Sequence, residues 1–294
     1  MLLNCSYKEK MIGKKINNYL KLLRVKHYIK NLLVFIPLFF SRDIFNKEKL
    51  YIALLGFVAF SLMSSAIYII NDYRDIEKDR LHPVKKNRPL ASGSIDKTQA
   101  LIVMSLCGIM SITIVGGCIN EKSLIAIIVY FLLNILYSFG LKKKPIVDVV
   151  ILASGFVIRV VFGGLINDIK ISSFLFLVIV VGSLFMGLGK RRNEYRKQTD
   201  TRDVLKYYSE SFLDKNMYVC MSLADVFYAM WAIEMDYRGL LWSIPYFIII
   251  LMTYSRNIEG ESDGDPVEVI LNDKLLVVLL IGYIVFVFIC VYLL

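Results

Sequence analysis

Apolar runs of membrane-spanning length recur along the whole chain. A transmembrane helix needs about 20 predominantly apolar residues, with a range of roughly 17–25. The composition agrees, because 57% of the 294 residues are hydrophobic and the mean hydropathy is +0.59, whereas soluble proteins average roughly 45–50% apolar residues. A bilayer offers the backbone no hydrogen-bond partners, so each run must satisfy its own backbone as a helix. We therefore predict an all-α, polytopic membrane protein, and a water-soluble fold is excluded.

Nine transmembrane helices are predicted, arranged around a cavity that opens to the cytoplasm. The runs 28–40 and 240–254 are the shortest, and Pro37 is expected to bend the former. No internal repeat or soluble domain interrupts the pattern, so we expect one transmembrane domain over residues 1–294. The predicted spans are 28–40, 51–70, 100–119, 123–141, 146–166, 171–188, 217–235, 240–254 and 275–294.

The distribution of basic residues predicts the orientation. With the N-terminus in the cytoplasm, most of the 35 Lys and Arg residues fall in cytoplasmic segments, as the positive-inside rule requires. Residues 1–25 then form a basic cytoplasmic segment. Residues 1–15 show no apolar core of a cleavable signal peptide, so none is expected. The net charge of +10 is explained by this topology, so no nucleic-acid partner is expected. We predict a multi-pass protein of the cytoplasmic (inner) membrane whose polar loops, and any active site, face the cytoplasm.

An acidic stretch directly follows the second apolar run. Asp72, Asp75 and Asp79 recur at i, i+3 and i+7, so on a continuing helix they share one face with Asn71, while Glu77 points away. Like charges on one stripe repel unless a cation lies between them. A hard divalent cation with oxygen ligands, such as Mg²⁺ carrying a substrate phosphate, satisfies that demand. The alternative is a solvated loop that only caps the helix.

A basic loop follows the acids, and its prolines stop the helix. Arg88 can hold a phosphate through two parallel hydrogen bonds, whereas Lys85 acts as a point charge. An acidic metal face beside a basic loop suits a diphosphate ester. Positive-inside charge alone is the competing explanation. Lys30 and Asn31, just before the apolar run of the first span, are either further polar ligands or anchors in the headgroup region.

Ionisable residues also lie in and near the fifth and sixth spans. Asp148 and Arg159 are eleven residues apart, close to three helical turns, so they share a face. An ionisable group inside a membrane is a functional candidate by default, although a structural ion pair with another helix is the alternative. Tyr137 and Lys142 approach from the preceding helix end.

A second basic run leaves the sixth span. Lys190 and Arg191 lead it and have the composition of an anion site, with attraction to lipid headgroups as the alternative. Tyr254 ends the eighth span, before an acidic loop at 259–265. These acids either line a cavity entrance or form a solvated hairpin, and the hairpin is favoured.

The pattern Asn71-Asp72-x-x-Asp75-x-x-x-Asp79 after the second of nine spans resembles that of the UbiA superfamily of intramembrane prenyltransferases. The resemblance implies an Asp-rich motif that binds Mg²⁺ and a diphosphate in a helix-lined cavity. Further motifs are similar to the branch that transfers phosphoribosyl groups to polyprenyl phosphates. They are Lys30-Asn31, Asp79-Arg80-x-His82-Pro83, 88–93, Asp148, Arg159 with Gly163-Gly164, and Gly189-Lys190-Arg191-x-x-Glu194.

One departure from the superfamily affects the choice of donor. Most members carry a second aspartate motif after span six, but here Asp200 and Asp203 stand among basic residues. A basic loop favours a donor with an additional phosphate. Phosphoribosyl diphosphate is such a donor, since it carries a diphosphate for the metal and a 5-phosphate for Lys and Arg.

We therefore expect a Mg²⁺-dependent transfer of phosphoribosyl to a polyprenyl monophosphate, with release of pyrophosphate. The alternatives are a prenyltransferase acting on an aromatic or other small acceptor, and a transporter, which would more naturally show inverted repeats. The oligomeric state stays open, with a homo-oligomer as one alternative. The expected metal ligands are Asn71, Asp72, Asp75 and Asp79. The expected catalytic residues are Asp72, Asp75, Asp79 and Arg159. The expected substrate ligands are Lys30, Asn31, Arg80, His82, Lys85, Arg88, Tyr137, Lys142, Asp148, Lys190, Arg191 and Tyr254.

Overall fold

The computed structural model describes residues 2–197, 202–260 and 264–294, and the described chain is helical without a strand. The prediction of an all-α protein is confirmed. Short 3₁₀ segments supplement the α-helices, the longest at Val25–Phe35. The helices are α1 Leu2–Leu23, α2 Ile36–Phe40, α3 Lys47–Arg74, α4 Ile76–Leu81, α5 Lys97–Cys118, α6 Glu121–Phe139, α7 Val147–Ile166, α8 Ser173–Lys197, α9 Glu210–Met235, α10 Ser243–Glu259, α11 Pro266–Asn272 and α12 Lys274–Tyr292.

Seven helices in the described chain are long and apolar enough to cross a membrane: α3, α5, α6, α7, α8, α9 and α12. They coincide with seven of the nine predicted spans. The first predicted span is divided between the 3₁₀ segment and α2, with Pro37 in the first turn of α2, where a residue without an N–H group is tolerated. The eighth corresponds to α10, whose 17 residues give about 26 Å of helix. The number nine therefore stays a prediction.

The described chain folds as two compact units. The first unit comprises Met1–Leu32 and Leu54–Ser138. Ser111 on α5 donates to the carbonyl of Ala59 on α3 at 2.7 Å, and small polar residues of this kind hold membrane helices together. A small apolar core includes residues from both sides of Asp72 in the sequence. Its buried members are Leu22, Ile69, Ile76, Leu90, Ile95 and Ala100.

The second unit comprises Leu33–Ala53 and Phe139–Leu294. Its helices α7, α8 and α9 pack against one another in sequence order. Gly163 on α7 lies so close to the chain at Val34 that a Cβ atom would stand 2.1 Å from the Val34 carbonyl oxygen. Because Gly163 has no side chain, α7 can pack closely against the backbone of this segment. Small residues have the same role at other contacts between membrane helices.

Candidate functional site

The acidic stretch keeps helical register across a short break. α3 ends at Arg74, and Asp75 adopts φ −97° and ψ 10° before α4 begins. The Asp75 N–H nevertheless donates to the Asn71 carbonyl at 3.0 Å, and the Asp79 N–H donates to the Asp75 carbonyl at 2.8 Å. The periodicity of an α-helix thus continues through the break.

Burial follows the predicted stripe. Asp72 and Asp79 are only 3% and 5% exposed, Asp75 is half-buried, and the Glu77 side chain is 77% exposed. Asn71 lies at the same end of α3, where its Oδ1 accepts a hydrogen bond from the Ser138 hydroxyl at 3.3 Å. Buried carboxylates need compensating charge, so the inward face is the one that requires cations.

Two arginines provide that charge. Arg24 Nη2 lies 2.5 Å from Asp72 Oδ1, and Arg88 Nη1 lies 3.0 Å from the same atom and 2.7 Å from Asp79 Oδ2. Arg88 was predicted to hold a phosphate, but here it bridges two acids. Arg24 was missed, because no spacing in the sequence relates it to an aspartate 48 residues away.

The acid face (Asp72, Asp75 and Asp79) carries three carboxylates on one side of the helix. Burial raises the pKa of Asp79, the neighbouring Arg88 opposes that rise, and the charges of Asp72 and Asp75 add to it. A carboxyl whose pKa is raised by burial and like charges gains from a nearby cation.

The donor set fits Mg²⁺, which takes one or two carboxylates and completes its shell with water and phosphate oxygens. Within the ranges 2–197, 202–260 and 264–294, no group of three or more Asp, Glu, His or Cys residues is arranged to hold a metal ion. Asp72 and Asp79, which both contact Arg88, are two carboxylates that suit a metal arriving with a substrate phosphate.

Other predicted ligands near the acid face have local partners. His82 Nδ1 accepts hydrogen bonds from the N–H groups of Val84 and Lys85 at 3.1 and 3.2 Å, which fixes the loop. Arg80 lies 3.0 Å from exposed Glu77, on the side away from the acid face. Lys85 is half-buried.

Two more predicted ligands lie near the start of the first predicted span. Asn31 is 1% exposed, and its side-chain N–H₂ donates to Ser61 Oγ on α3 at 2.9 Å. Lys30 is half-buried. Tyr137 is half-buried near the end of α6 in the same unit. The structure therefore fixes Asn31 on α3.

The second unit contains a buried ionic network. Asp148 and Arg191 are both fully buried, with Arg191 Nε 2.5 Å from Asp148 Oδ2. Arg191 also binds Glu194, one helical turn later, and Arg202 lies 3.5 Å from the other oxygen of Glu194. Arg191 was predicted as an anion ligand, but its guanidinium is enclosed by carboxylates of its own unit.

Tyr208 completes this network from the segment before α9. Its hydroxyl donates to Asp148 Oδ1 at 2.6 Å and accepts from the Ile146 N–H at 2.6 Å. Burial and the hydrogen bond to Asp148 raise the pKa of Tyr208 to about 12, so the hydroxyl stays protonated and donates at neutral pH. Sequence reasoning missed Tyr208, which lies 60 residues from Asp148.

Asp148 and Arg159 were predicted to share one face of a helix, with a structural ion pair to another helix as the alternative. For Asp148 the structure shows that ion pair, which it forms with Arg191 on α8. Arg159 is 4% exposed, and its Nη1 donates to the Gly155 carbonyl at 2.5 Å on the same helix. Lys142 is half-buried just before α7.

Lys190 keeps a partly accessible side chain. It is 25% exposed and lies 3.5 Å from Asp265 Oδ2, while the other oxygen of Asp265 caps α11 through the Val267 N–H. Tyr254 is 5% exposed, and its hydroxyl has no hydrogen-bond partner among the described residues. Asp200 and residues 261–263 of the acidic loop lie outside the described residues.

The sequence profile of the UbiA prenyltransferase family matches residues 33–257, more than half of the chain. The chain belongs to the UbiA prenyltransferase family. The match runs through α3, α4 and α8, which carry Asp72, Asp79 and Lys190 respectively, and the predicted family is confirmed.

Curated relatives extend the match to most of the chain. The decaprenyl-phosphate phosphoribosyltransferase of Mycolicibacterium smegmatis is 32% identical over 289 residues, covering 92% of this chain and 91% of that relative. The protein of the same name from Corynebacterium glutamicum is 32% identical over 93% of this chain and 86% of its own length.

Solved structures share the fold. A UbiA homologue from Archaeoglobus fulgidus bound to GPP and Mg²⁺ gives a TM-score of 0.73 at 22% identity, over 92% of this chain and 96% of that chain. A structure of digeranylgeranylglyceryl phosphate synthase gives 0.67 at 20% identity, over 96% and 100% of the two chains. Both likenesses establish the UbiA fold.

Proposed function

We propose that this UbiA-family protein transfers a 5-phosphoribosyl group from phosphoribosyl diphosphate to a polyprenyl monophosphate and releases pyrophosphate. The observation that carries the proposal is the 32% identity, over about nine tenths of both chains, to the phosphoribosyltransferase of M. smegmatis. The basic character of the end of α8 supports it, since a donor with a 5-phosphate needs cations that a prenyl diphosphate does not.

The acid face of the first unit is the proposed place for the leaving diphosphate. Asp72, Asp75 and Asp79, with Asn71, would hold Mg²⁺, which supplies charge stabilisation to the departing pyrophosphate. Arg88 stands on the same face and can hold phosphate oxygens as well as carboxylates.

In the proposed reaction the C1–O bond of the donor breaks and its electron pair leaves with the pyrophosphate. An oxygen of the lipid phosphate forms the new bond to C1 from the opposite face of the ribose. This nucleophile is already anionic, so no side chain has to remove a proton. That agrees with the presence of only two histidines, one of which, His82, fixes a loop.

Lys190 is the proposed ligand of the 5-phosphate, because its side chain is partly exposed and its ammonium group lies 3.5 Å from one described carboxylate, that of Asp265. Arg191 has a different proposed role. Its enclosed guanidinium holds α7 and α8 together and so keeps Lys190 in position. Arg159 and Lys142 are the proposed cationic contacts of the lipid phosphate in the second unit, and Lys30 is a proposed phosphate contact in the first unit. Six further residues are proposed to support the substrate sites around them. They are Asn31, Arg80, Lys85, Tyr137, Asp148 and Tyr254.

The chain is an integral membrane protein with several apolar helices. We infer that it lies in the cytoplasmic membrane with its N-terminus and active site on the cytoplasmic side. The excess of Lys and Arg in the loops assigned to that side supports this orientation.

The second candidate is a UbiA-type prenyl transfer, which the family and the structural likeness to a homologue bound to GPP and Mg²⁺ favour. The test uses purified protein in detergent with Mg²⁺ and measures pyrophosphate release. Donors are phosphoribosyl diphosphate or geranyl diphosphate, each with polyprenyl phosphate or a small aromatic acceptor. Release only with phosphoribosyl diphosphate and polyprenyl phosphate supports the proposal. Release only with the prenyl donor refutes it, and Asp72→Asn controls for contaminating activity.

A further inference from the structure

Arg24 is held in an unusual backbone conformation at the end of α1. Its φ is +53°, in the left-handed region that residues with a side chain seldom adopt. The Arg24 N–H donates to the Lys21 carbonyl at 3.2 Å, and the Arg24 carbonyl accepts from the His27 N–H at 2.8 Å. Backbone strain of this kind persists only where the surroundings fix it, and it clusters at functional sites.

The Arg24 side chain is directed onto one face of α3. Its guanidinium carbon lies 4.7 Å from the centroid of the Tyr68 ring, and its Nη2 lies 2.5 Å from Asp72 Oδ1. Tyr68 and Asp72 are four residues apart, hence on the same helix face. An aromatic ring and a carboxylate both attract a cation, so the left-handed turn presents Arg24 to the acid face as a fixed positive charge.

Arg88 reaches the acid face from the loop after α4. A single nitrogen, Nη1, contacts Asp72 Oδ1 at 3.0 Å and Asp79 Oδ2 at 2.7 Å. Arg24 and Arg88 therefore converge on the same oxygen of Asp72. These two guanidinium groups supply cations of the kind that the spacing of the acids demands.

The same contacts oppose a bare metal ion. A divalent cation that binds Asp72 and Asp79 must take carboxylate oxygens from the arginines, and its charge repels theirs. A diphosphate that binds with the metal removes this opposition, because it offers anionic oxygens as new partners for the arginines. Each guanidinium group can donate two parallel hydrogen bonds to such oxygens. The arginines thus disfavour the metal alone and favour the metal with a diphosphate.

We propose that Arg24 and Arg88 are exchangeable counter-ions: they neutralise Asp72 and Asp79 in the ligand-free protein and move their hydrogen bonds to phosphate oxygens when a metal ion and a diphosphate bind together. The inference rests on the proposed function, since it requires a metal–diphosphate site at the acid face. It makes Arg24 a ligand of the diphosphate, and it predicts that the metal ion and the diphosphate bind to the acid face together.

Two equilibrium dialysis measurements on the full chain in detergent test the exchange. The first follows Mn²⁺ alone, as a probe for Mg²⁺, and the second follows labelled pyrophosphate at saturating Mn²⁺. For Arg24→Gln and Arg88→Gln we expect Mn²⁺ alone to bind about tenfold more tightly, and pyrophosphate with Mn²⁺ about tenfold more weakly, as for the loss of one unit charge worth about 1.4 kcal/mol. The control is Lys78→Gln, which removes an exposed charge from α4 and should leave both constants unchanged.

The two shifts must have opposite signs. Unchanged constants in the arginine variants, or shifts in the same direction, overturn the exchange while leaving the proposed function standing. If the wild-type chain shows no Mn²⁺-dependent pyrophosphate binding, the proposed function itself fails. Should Arg88→Gln elute as an aggregate, Arg88→Lys replaces it. That variant keeps the charge but not the planar guanidinium, and it must show the same opposite shifts at reduced size.

Discussion

Replacement of Gly163 by alanine tests whether close backbone packing positions α7. A Cβ atom at residue 163 would lie 2.1 Å from the Val34 carbonyl oxygen, 2.8 Å from its carbonyl carbon and 3.0 Å from its Cα. Non-bonded heavy atoms reach favourable contact near 3.5 Å, so the segment at Val34 must retreat by roughly 1 Å. All three neighbours are backbone atoms, so no side-chain rotation relieves the clash.

The expected cost of Gly163→Ala is about 3 kcal/mol, the upper part of the range for overpacking. The matched control is Gly182→Ala on α8, where a Cβ atom meets nothing within 4 Å. Alanine is favoured over glycine in a helix by about 1 kcal/mol, so the control should be neutral or stabilising. Thermal unfolding in detergent should therefore show a Tm lowered by about 5–10 °C for Gly163→Ala and unchanged or raised for Gly182→Ala.

A functional readout accompanies the stability measurement. α7 carries Arg159 in its interior, and a displacement of about 1 Å at a catalytic residue can cost on the order of a hundredfold in rate. The turnover of folded Gly163→Ala should fall well below that of Gly182→Ala. Equal Tm values and equal turnover for the two variants would refute the conclusion that contact with the Val34 backbone positions α7.

Three further results are expected. Asp72→Asn and Asp75→Asn should each abolish turnover in folded protein, because each removes a proposed metal ligand, whereas Glu77→Gln should keep near wild-type kcat. An Asp72→Asn enzyme with near wild-type kcat would contradict the proposed metal role. Lys190→Ala should raise KM for phosphoribosyl diphosphate more than KM for the lipid, in steady-state kinetics with each substrate varied. Arg191→Met should lower the free energy of unfolding by about 3–5 kcal/mol, because it leaves buried carboxylates unpaired; an unchanged Tm would contradict the buried pairing.

Prediction from sequence succeeded for features that depend on a single helix, namely its position in the chain and the face on which its residues lie. The lengths of the apolar runs predicted α3, α5, α6, α7, α8, α9 and α12, because a bilayer enforces helix over any such run. The spacing of Asp72, Asp75 and Asp79 predicted their shared face and the exposure of Glu77, since helical periodicity continues through the break at Asp75.

Prediction failed where the partner came from a distant part of the chain. Arg24 contacts Asp72 across a sequence separation of 48 residues, and Tyr208 contacts Asp148 across 60 residues. No local sequence pattern could predict either contact. Arg191 was read as part of a basic run. Its spacing of three residues to Glu194 was the available signal that it pairs within its own helix.

The identity of the transferred group is tested most directly with doubly labelled donor. Phosphoribosyl diphosphate labelled in the ribose and, with a different isotope, in the diphosphate is incubated with the full chain, polyprenyl phosphate and Mg²⁺. The lipid product and the released pyrophosphate are then separated. Phosphoribosyl transfer predicts that the ribose label enters the lipid while the diphosphate label leaves entirely as pyrophosphate. A lipid without the ribose label, together with prenylated product when geranyl diphosphate and an aromatic acceptor replace these substrates, would contradict it.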